Sequence, residues 1–86
     1  MRLFYLNNVE VATLFLQSPT TKSDGGFQSL LVKLQHQVDV TTGLIILGVK
    51  DIERIYRYSF KYNQGGWQDM LLRIFGRVMP ILKQLK

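Results

Sequence analysis

Gly25 to Val38 reads GGFQSLLVKLQHQV, and forty residues further on Gly65 to Val78 reads GGWQDMLLRIFGRV. Aligned without a gap, five of the fourteen positions are identical. Five more keep their chemistry: Phe27/Trp67, Leu30/Met70, Val32/Leu72, Lys33/Arg73 and Leu34/Ile74. A stretch used twice implies one supersecondary unit used twice, and a unit that cannot bury its own apolar face must pack against its copy. Both stretches space their apolar residues as a helix does. Phe27, Leu30, Leu31, Leu34 and Val38 share one face. Trp67, Met70, Leu71, Ile74, Phe75 and Val78, continued by Ile81, Leu82 and Leu85, fall within an arc of roughly 140°, the stripe of a core-facing helix. Pro80 is expected to kink or restart that helix, because proline lacks the backbone donor and clashes with the preceding turn.

Working back from the second stretch, Thr42-Gly43 is a turn signal, and Leu44 to Leu47 is a short apolar run ending at Gly48, which reads as a buried strand. From Lys50 to Tyr62 the spacing becomes helical, with Ile52, Ile55, Tyr56, Ser59, Phe60 and Tyr62 on one side. Asn63-Gln64-Gly65-Gly66 then interrupts it, since glycine is unfavourable inside a helix and favourable at its ends. The same frame moved back by forty residues places a strand at Phe4 to Leu6 and a helix from about Asn8 to Gln17. Asn8 is then the N-cap, and Ala12, Phe15 and Leu16 take the places of Ile52, Ile55 and Tyr56. Residues 9–16 also suit a strand; the repeat decides for helix. Ser18 to Asp24 is a polar loop.

The expected fold is α+β and mostly helical: tandem βαα-βαα units at about 1–40 and 41–80, a C-terminal extension at 81–86, and one domain over 1–86. Two strands pair antiparallel, related by an approximate two-fold axis, and four helices pack around them.

A chain of 86 residues buries only about 60 to 65% of its unfolded surface, so its stability margin is thin. Its 47% hydrophobic content is too high for disorder. There is no cysteine, which excludes disulfides and thiolate–metal sites. The first seventeen residues lack a small-residue cleavage site and carry Asn7, Asn8 and Glu10 in their apolar stretch, unlike a signal peptide. No apolar run approaches the length needed to cross a bilayer. A soluble, cytoplasmic protein without a membrane partner is the expectation.

The net charge of +5 favours nucleic acid or an acidic protein surface as partner. Lys50, Arg54, Arg57 and Lys61, spaced i, i+4, i+7 and i+11, lie within about 60° on the side of the third helix opposite its apolar face. Tyr58 flanks them, placed to stack or bond at the edge, and Asp51 and Glu53 balance part of the charge. Lys33 and Arg73, at equivalent places in the repeat, and Arg77 one turn on extend the basic set. These eight residues are the candidate site for a nucleic-acid backbone or, alternatively, for an acidic partner that the chain adapts or inhibits. No groove-reading helix or zinc-finger pattern accompanies them.

The glycine pairs Gly25-Gly26 and Gly65-Gly66 open helices but are followed by Phe-Gln and Trp-Gln, not the Lys-Ser/Thr of a phosphate loop. They read as tight turns or points of close backbone approach, and Phe27 and Trp67 as core residues. His36 is the only histidine, and its repeat counterpart is Gly76. The carboxylates Glu10, Asp24, Asp39, Asp51, Glu53 and Asp69 are scattered, with no catalytic or metal-type spacing. A non-enzymatic module without cofactor is expected. The C-terminal stripe at Ile81, Leu82 and Leu85 is expected to pack within its own chain, which favours a monomer over a homodimer formed through it.

Overall fold

The computed structural model describes residues 1–85. In chain order it contains β1 (Arg2–Tyr5), α1 (Asn8–Leu14), α2 (Gly26–Gln35), β2 (Leu44–Leu47), α3 (Val49–Phe60), α4 (Gly65–Phe75) and α5 (Met79–Leu85), with a short 3-10 turn at Pro19–Thr21 before α2. The two strands form an antiparallel sheet in which Leu3 faces Ile46 and Tyr5 faces Leu44. The chain is mostly helical, but five helices pack on the sheet, not four. Phe75 ends α4, and Gly76 to Val78 turn the chain. The seven-residue α5 then restarts with Pro80 in its first turn, where a missing N–H costs no helical bond.

Strand alternation decides what the sheet gives to the core. Phe4, Ile45 and Leu47 point inward and are buried, as is Leu6 just beyond β1. Around them close Leu14 from α1, Phe27, Leu30, Leu31 and Leu34 from α2, and Ile52 and Ile55 from α3. Leu71, Ile74 and Phe75 from α4, Val78 beyond it, and Met79 and Leu82 from α5 complete the cluster. Gly43 makes the turn into β2 possible: its φ is +79°, and a Cβ there would lie 2.0 Å from the Leu6 carbonyl oxygen.

The first helix departs from expectation. Its N-cap is Asn7, not Asn8, and it stops at Leu14. Asn7 Oδ1 accepts from the Glu10 N–H at 2.8 Å, and Glu10 Oε1 accepts from the Asn7 N–H at 2.8 Å, a reciprocal capping box. Phe15 and Leu16, expected in the core, are exposed, and Leu14 is fully buried in their stead. The cause is a one-residue offset. Leu14 stands to α1 as Ile55 stands to α3, forty-one residues apart, whereas the α2 and α4 stretches are forty apart. A slip of one residue turns a helix face by 100°, enough to exchange core for solvent.

Candidate nucleic-acid interface

On α3 the side chains divide by environment. Ile52, Ile55 and Ser59 are buried, Tyr56 and Phe60 are half-buried, and Lys50, Arg57 and Lys61 stand exposed along the opposite side. Tyr62, expected on the apolar face, is exposed beyond the helix end. Arg54 is half-buried and donates from Nη2 to the Gly26 carbonyl oxygen at 3.0 Å, which holds its guanidinium over the start of α2. Lys50 and Lys61 are eleven residues apart, so the stripe runs for roughly 16 Å at about 1.5 Å per residue. Arg57 and Lys61 line a shallow groove of ≈ 290 Å³ with Glu53 and Tyr56.

Tyr58 lies in an aromatic cluster, not in the row of cations. Phe27 and Trp67 stack with ring centroids 5.3 Å apart and planes 13° from parallel. Tyr58 meets Trp67 edge-on at 5.2 Å and lies tilted against Tyr62 at 5.0 Å. The Tyr58 hydroxyl occupies the space above Gly26, where a Cβ would come within 2.0 Å of it. Close approach of α3 to α2, and not anion binding, therefore accounts for glycine at 26.

The remaining basic candidates have carboxylate partners. Lys33 Nζ donates to Asp51 Oδ1 and, at 3.0 Å, to Gln37 Oε1. Arg77 holds Glu10 with two bonds, Nε to Oε2 at 2.9 Å and Nη2 to Oε1 at 2.6 Å, and also reaches the Tyr5 carbonyl oxygen at 2.8 Å. Arg73 pairs with Asp69 at 3.1 Å on an exposed face of α4, an arrangement worth little in water. Asp51 does not balance the α3 stripe. It is buried beneath Lys33 and accepts from the Gly48 N–H at 2.9 Å and from Gln37 Nε2 at 3.0 Å.

These bonds set the titration of the two buried carboxylates. The Arg77 bond holds the Glu10 carboxyl below its ordinary value, outweighing burial, with the Asn7 N–H assisting. Burial pushes the Asp51 carboxyl up, but the bonds from Lys33, Gly48 and Gln37 together bring it below its ordinary value. Arg77 is correspondingly held above its own by Glu10.

The ten described cations thus separate into two groups. Lys33, Arg73 and Arg77 are in ion pairs, and of the seven others four belong to α3 and its C-terminal residue Lys61. The spacing on α3 was readable in the sequence. The pairing of the rest was not, because Arg77 and Glu10 are 67 residues apart. A local signal for Glu10 did exist: Asn at 7 followed by Glu at 10 is a capping-box spacing. His36 is exposed in a depression shared with Lys22, Ser23, Ser29, Val32 and Lys33. Among the described residues no three His, Asp or Glu side chains gather to hold a metal ion, and no helix is long and apolar enough to cross a membrane.

Comparison with known proteins finds no matching family model, curated protein or solved structure.

Proposed function

We propose that this protein is a non-enzymatic binding module that contacts the phosphate backbone of nucleic acid through Lys50, Arg54, Arg57 and Lys61. The observation carrying this reading is the unequal neutralisation of the chain's charge. Lys33, Arg73 and Arg77 are matched by carboxylates, while Lys50, Arg57 and Lys61 stand exposed and half-buried Arg54 donates to the Gly26 carbonyl oxygen. Of the two acidic residues on α3, Asp51 is buried beneath Lys33, and Glu53 is the one exposed beside the row. Four phosphate contacts give a log–log salt slope near −3.6, so affinity falls about 150-fold between 50 and 200 mM salt. Retardation of labelled DNA and RNA at low salt tests this, repeated with all four positions changed to Glu. Retardation lost in the reversed protein supports it; no retardation of either nucleic acid by the unaltered chain refutes it.

Glu53 in the groove beside Tyr56, Arg57 and Lys61 favours a second reading, docking on an acidic protein. A polypeptide offers a cation for that carboxylate, whereas a phosphate backbone offers only repulsion. Capture from lysate with and without nuclease separates the two. A partner that survives nuclease belongs to the second reading.

We also infer that the two halves derive from one βαα unit used twice about an approximate two-fold axis. The Phe27–Trp67 stack joins equivalent residues. Gln37 bonds Ile46 O and Asp51 as Arg77 bonds Tyr5 O and Glu10. Two tandem copies of residues 41–80 should then fold cooperatively; a chain of that design that stays unfolded counts against interchangeable units.

A further inference from the structure

Twice at the C-terminal end of α3 a cation is followed directly by a tyrosine: Arg57-Tyr58 and, four residues on, Lys61-Tyr62. One residue turns a helix by 100°, so the two tyrosines stand along one flank of the row from Lys50 to Lys61. Row and flank meet at Gly26. Arg54 Nη2 donates to the Gly26 carbonyl oxygen at 3.0 Å, and the Tyr58 hydroxyl fills the space where a side chain at 26 would begin.

Tyr62 is the open ring of this aromatic cluster. It is 47% exposed, whereas Tyr58 and Trp67 are half-buried. Tyr58 lies tilted against it at 5.0 Å and Trp67 stands perpendicular to it at 5.9 Å, so two neighbours hold the ring. Gly65 and Gly66, which lead into Trp67, carry no side chain to cover it. The other flank of the row is less suited to nucleic acid. There Lys83 Nζ sits over the Phe60 ring at 4.6 Å, and exposed Glu53 stands beside Tyr56. A carboxylate in that place repels phosphate.

We infer, resting on the reading that α3 binds a phosphate backbone, that the nucleic acid is single-stranded. Its phosphates lie along Lys50, Arg54, Arg57 and Lys61, and a base stacks on the Tyr62 ring. A duplex also satisfies the row, but its base faces are covered by their neighbours, and the tyrosine flank then has nothing to contact. A single strand turns its bases out, and every base offers a π-face, so such stacking tolerates any sequence. The lack of a groove-reading element agrees with this. A ring fixed by Tyr58 and Trp67 before binding loses little freedom when a base covers it. Four phosphate contacts on a single strand give a log–log salt slope near −2.8, gentler than on a duplex, so affinity falls about 50-fold between 50 and 200 mM salt.

Three ligands of equal length test this with the full chain at about 100 mM salt: oligothymidylate, an abasic strand of the same backbone, and a blunt-ended duplex. Oligothymidylate should bind tighter than the abasic strand by about 5- to 100-fold, the contribution of a stacked base. Trp67 is the chain's one tryptophan and touches Tyr62, so its emission should be quenched by oligothymidylate and not by the abasic strand. Tyr62→Ala should erase the preference, and Tyr62→Phe, which keeps the ring, should retain it. Equal affinity for the two strands, or quenching by both alike, overturns the inference and leaves the phosphate reading standing. So does a duplex bound more tightly than oligothymidylate. A Tyr62→Ala protein that keeps the full preference places the base elsewhere and overturns the inference too. Binding of none of the three ligands overturns both readings. If Tyr62→Ala unfolds, the three ligands and the unaltered chain decide alone.

Discussion

Gln37 and Arg77, forty residues apart, perform the same two tasks on opposite halves of the molecule. Each stands two residues past the end of its helix, α2 or α4. Each donates to a carbonyl oxygen on the outer edge of a strand and to a carboxylate in the first turn of the following helix. Gln37 reaches Ile46 and Asp51, and Arg77 reaches Tyr5 and Glu10. Those carboxylates in turn accept from the Gly48 and Asn7 N–H groups. Strand edge, helix cap and neighbouring helix end are thereby joined in one polar junction per half. Gln37 carries no charge, and there Lys33 supplies the cation.

Acid should weaken both junctions together. The Glu10 and Asp51 carboxyls are held below their ordinary values of 4.5 and 3.8. A carboxyl whose folded value is lowered contributes stability that is present above its unfolded value and lost as pH falls through the folded one. Thermal midpoints measured from pH 6 downward should hold until about pH 5 and then fall steadily to below the two lowered values. The double variant Glu10→Gln, Asp51→Asn should start lower at pH 6 and show a flatter acid limb. A parallel limb in that variant would place the acid sensitivity elsewhere.

Gly26 and Gly66, equivalent in sequence, should respond oppositely to alanine. A Cβ at 26 meets the Tyr58 hydroxyl at 2.0 Å and its ring carbon at 3.2 Å, whereas nothing lies within 4 Å at 66. Gly26→Ala should destabilise by about 1–3 kcal/mol through overpacking, and adding Tyr58→Phe should recover part of the loss. Gly66→Ala should gain about 0.4–1 kcal/mol by restricting the unfolded chain. Urea denaturation of the four proteins measures both effects; equal losses at the two glycines would contradict the close approach of α3 to α2.

The short fifth helix should matter to stability through one side chain. Leu82 is fully buried, while Ile81 beside it is half exposed. Leu82→Ala should cost about 2–5 kcal/mol, and Ile81→Ala within about 0.5 kcal/mol of nothing. A chain ending at Met79 should be less stable than the full chain, by at least the Leu82→Ala loss. A truncated chain as stable as the intact one would detach α5 from the core.

Charge reversal should separate the two groups of cations. Lys50→Glu, Arg57→Glu and Lys61→Glu remove no described ion pair, so each should change stability by no more than about 0.5 kcal/mol. Arg77→Glu sets a second carboxylate against buried Glu10 and should lower the thermal midpoint sharply at pH 7. Thermal melts of the four variants make the comparison. A tolerant Arg77 would mean that the junction contributes nothing to the fold.

Much of the architecture was legible because it rests on local periodicity. The Leu44–Leu47 strand, the α3 stripe and the apolar faces of α2 and α4 follow from spacing over ten or fifteen residues. Helix α1 lies one residue off the forty-residue frame because the halves differ in length: Leu14 and Ile55 are forty-one residues apart, whereas the α2 and α4 stretches are forty apart. Asn7 and Glu10 held the correct frame in their capping-box spacing. The restart at Pro80 was foreseeable from proline's missing donor, but its packing as a separate fifth helix was not.

The sequence by itself determined the two strands, the helices α1 to α4 in their order and the row of four cations on α3, since each follows from dihedral preference and side-chain period within one segment. Only the tertiary structure decided which cations stay open to a partner. That depends on carboxylates distant in sequence, Glu10 from Arg77 and Asp51 from Lys33. It decided likewise that Tyr58 covers Gly26 and that one face of the sheet stays bare. Periodicity states which residues share a face; which faces meet is fixed by how the helices close over the sheet, and with it which charges are satisfied within the chain.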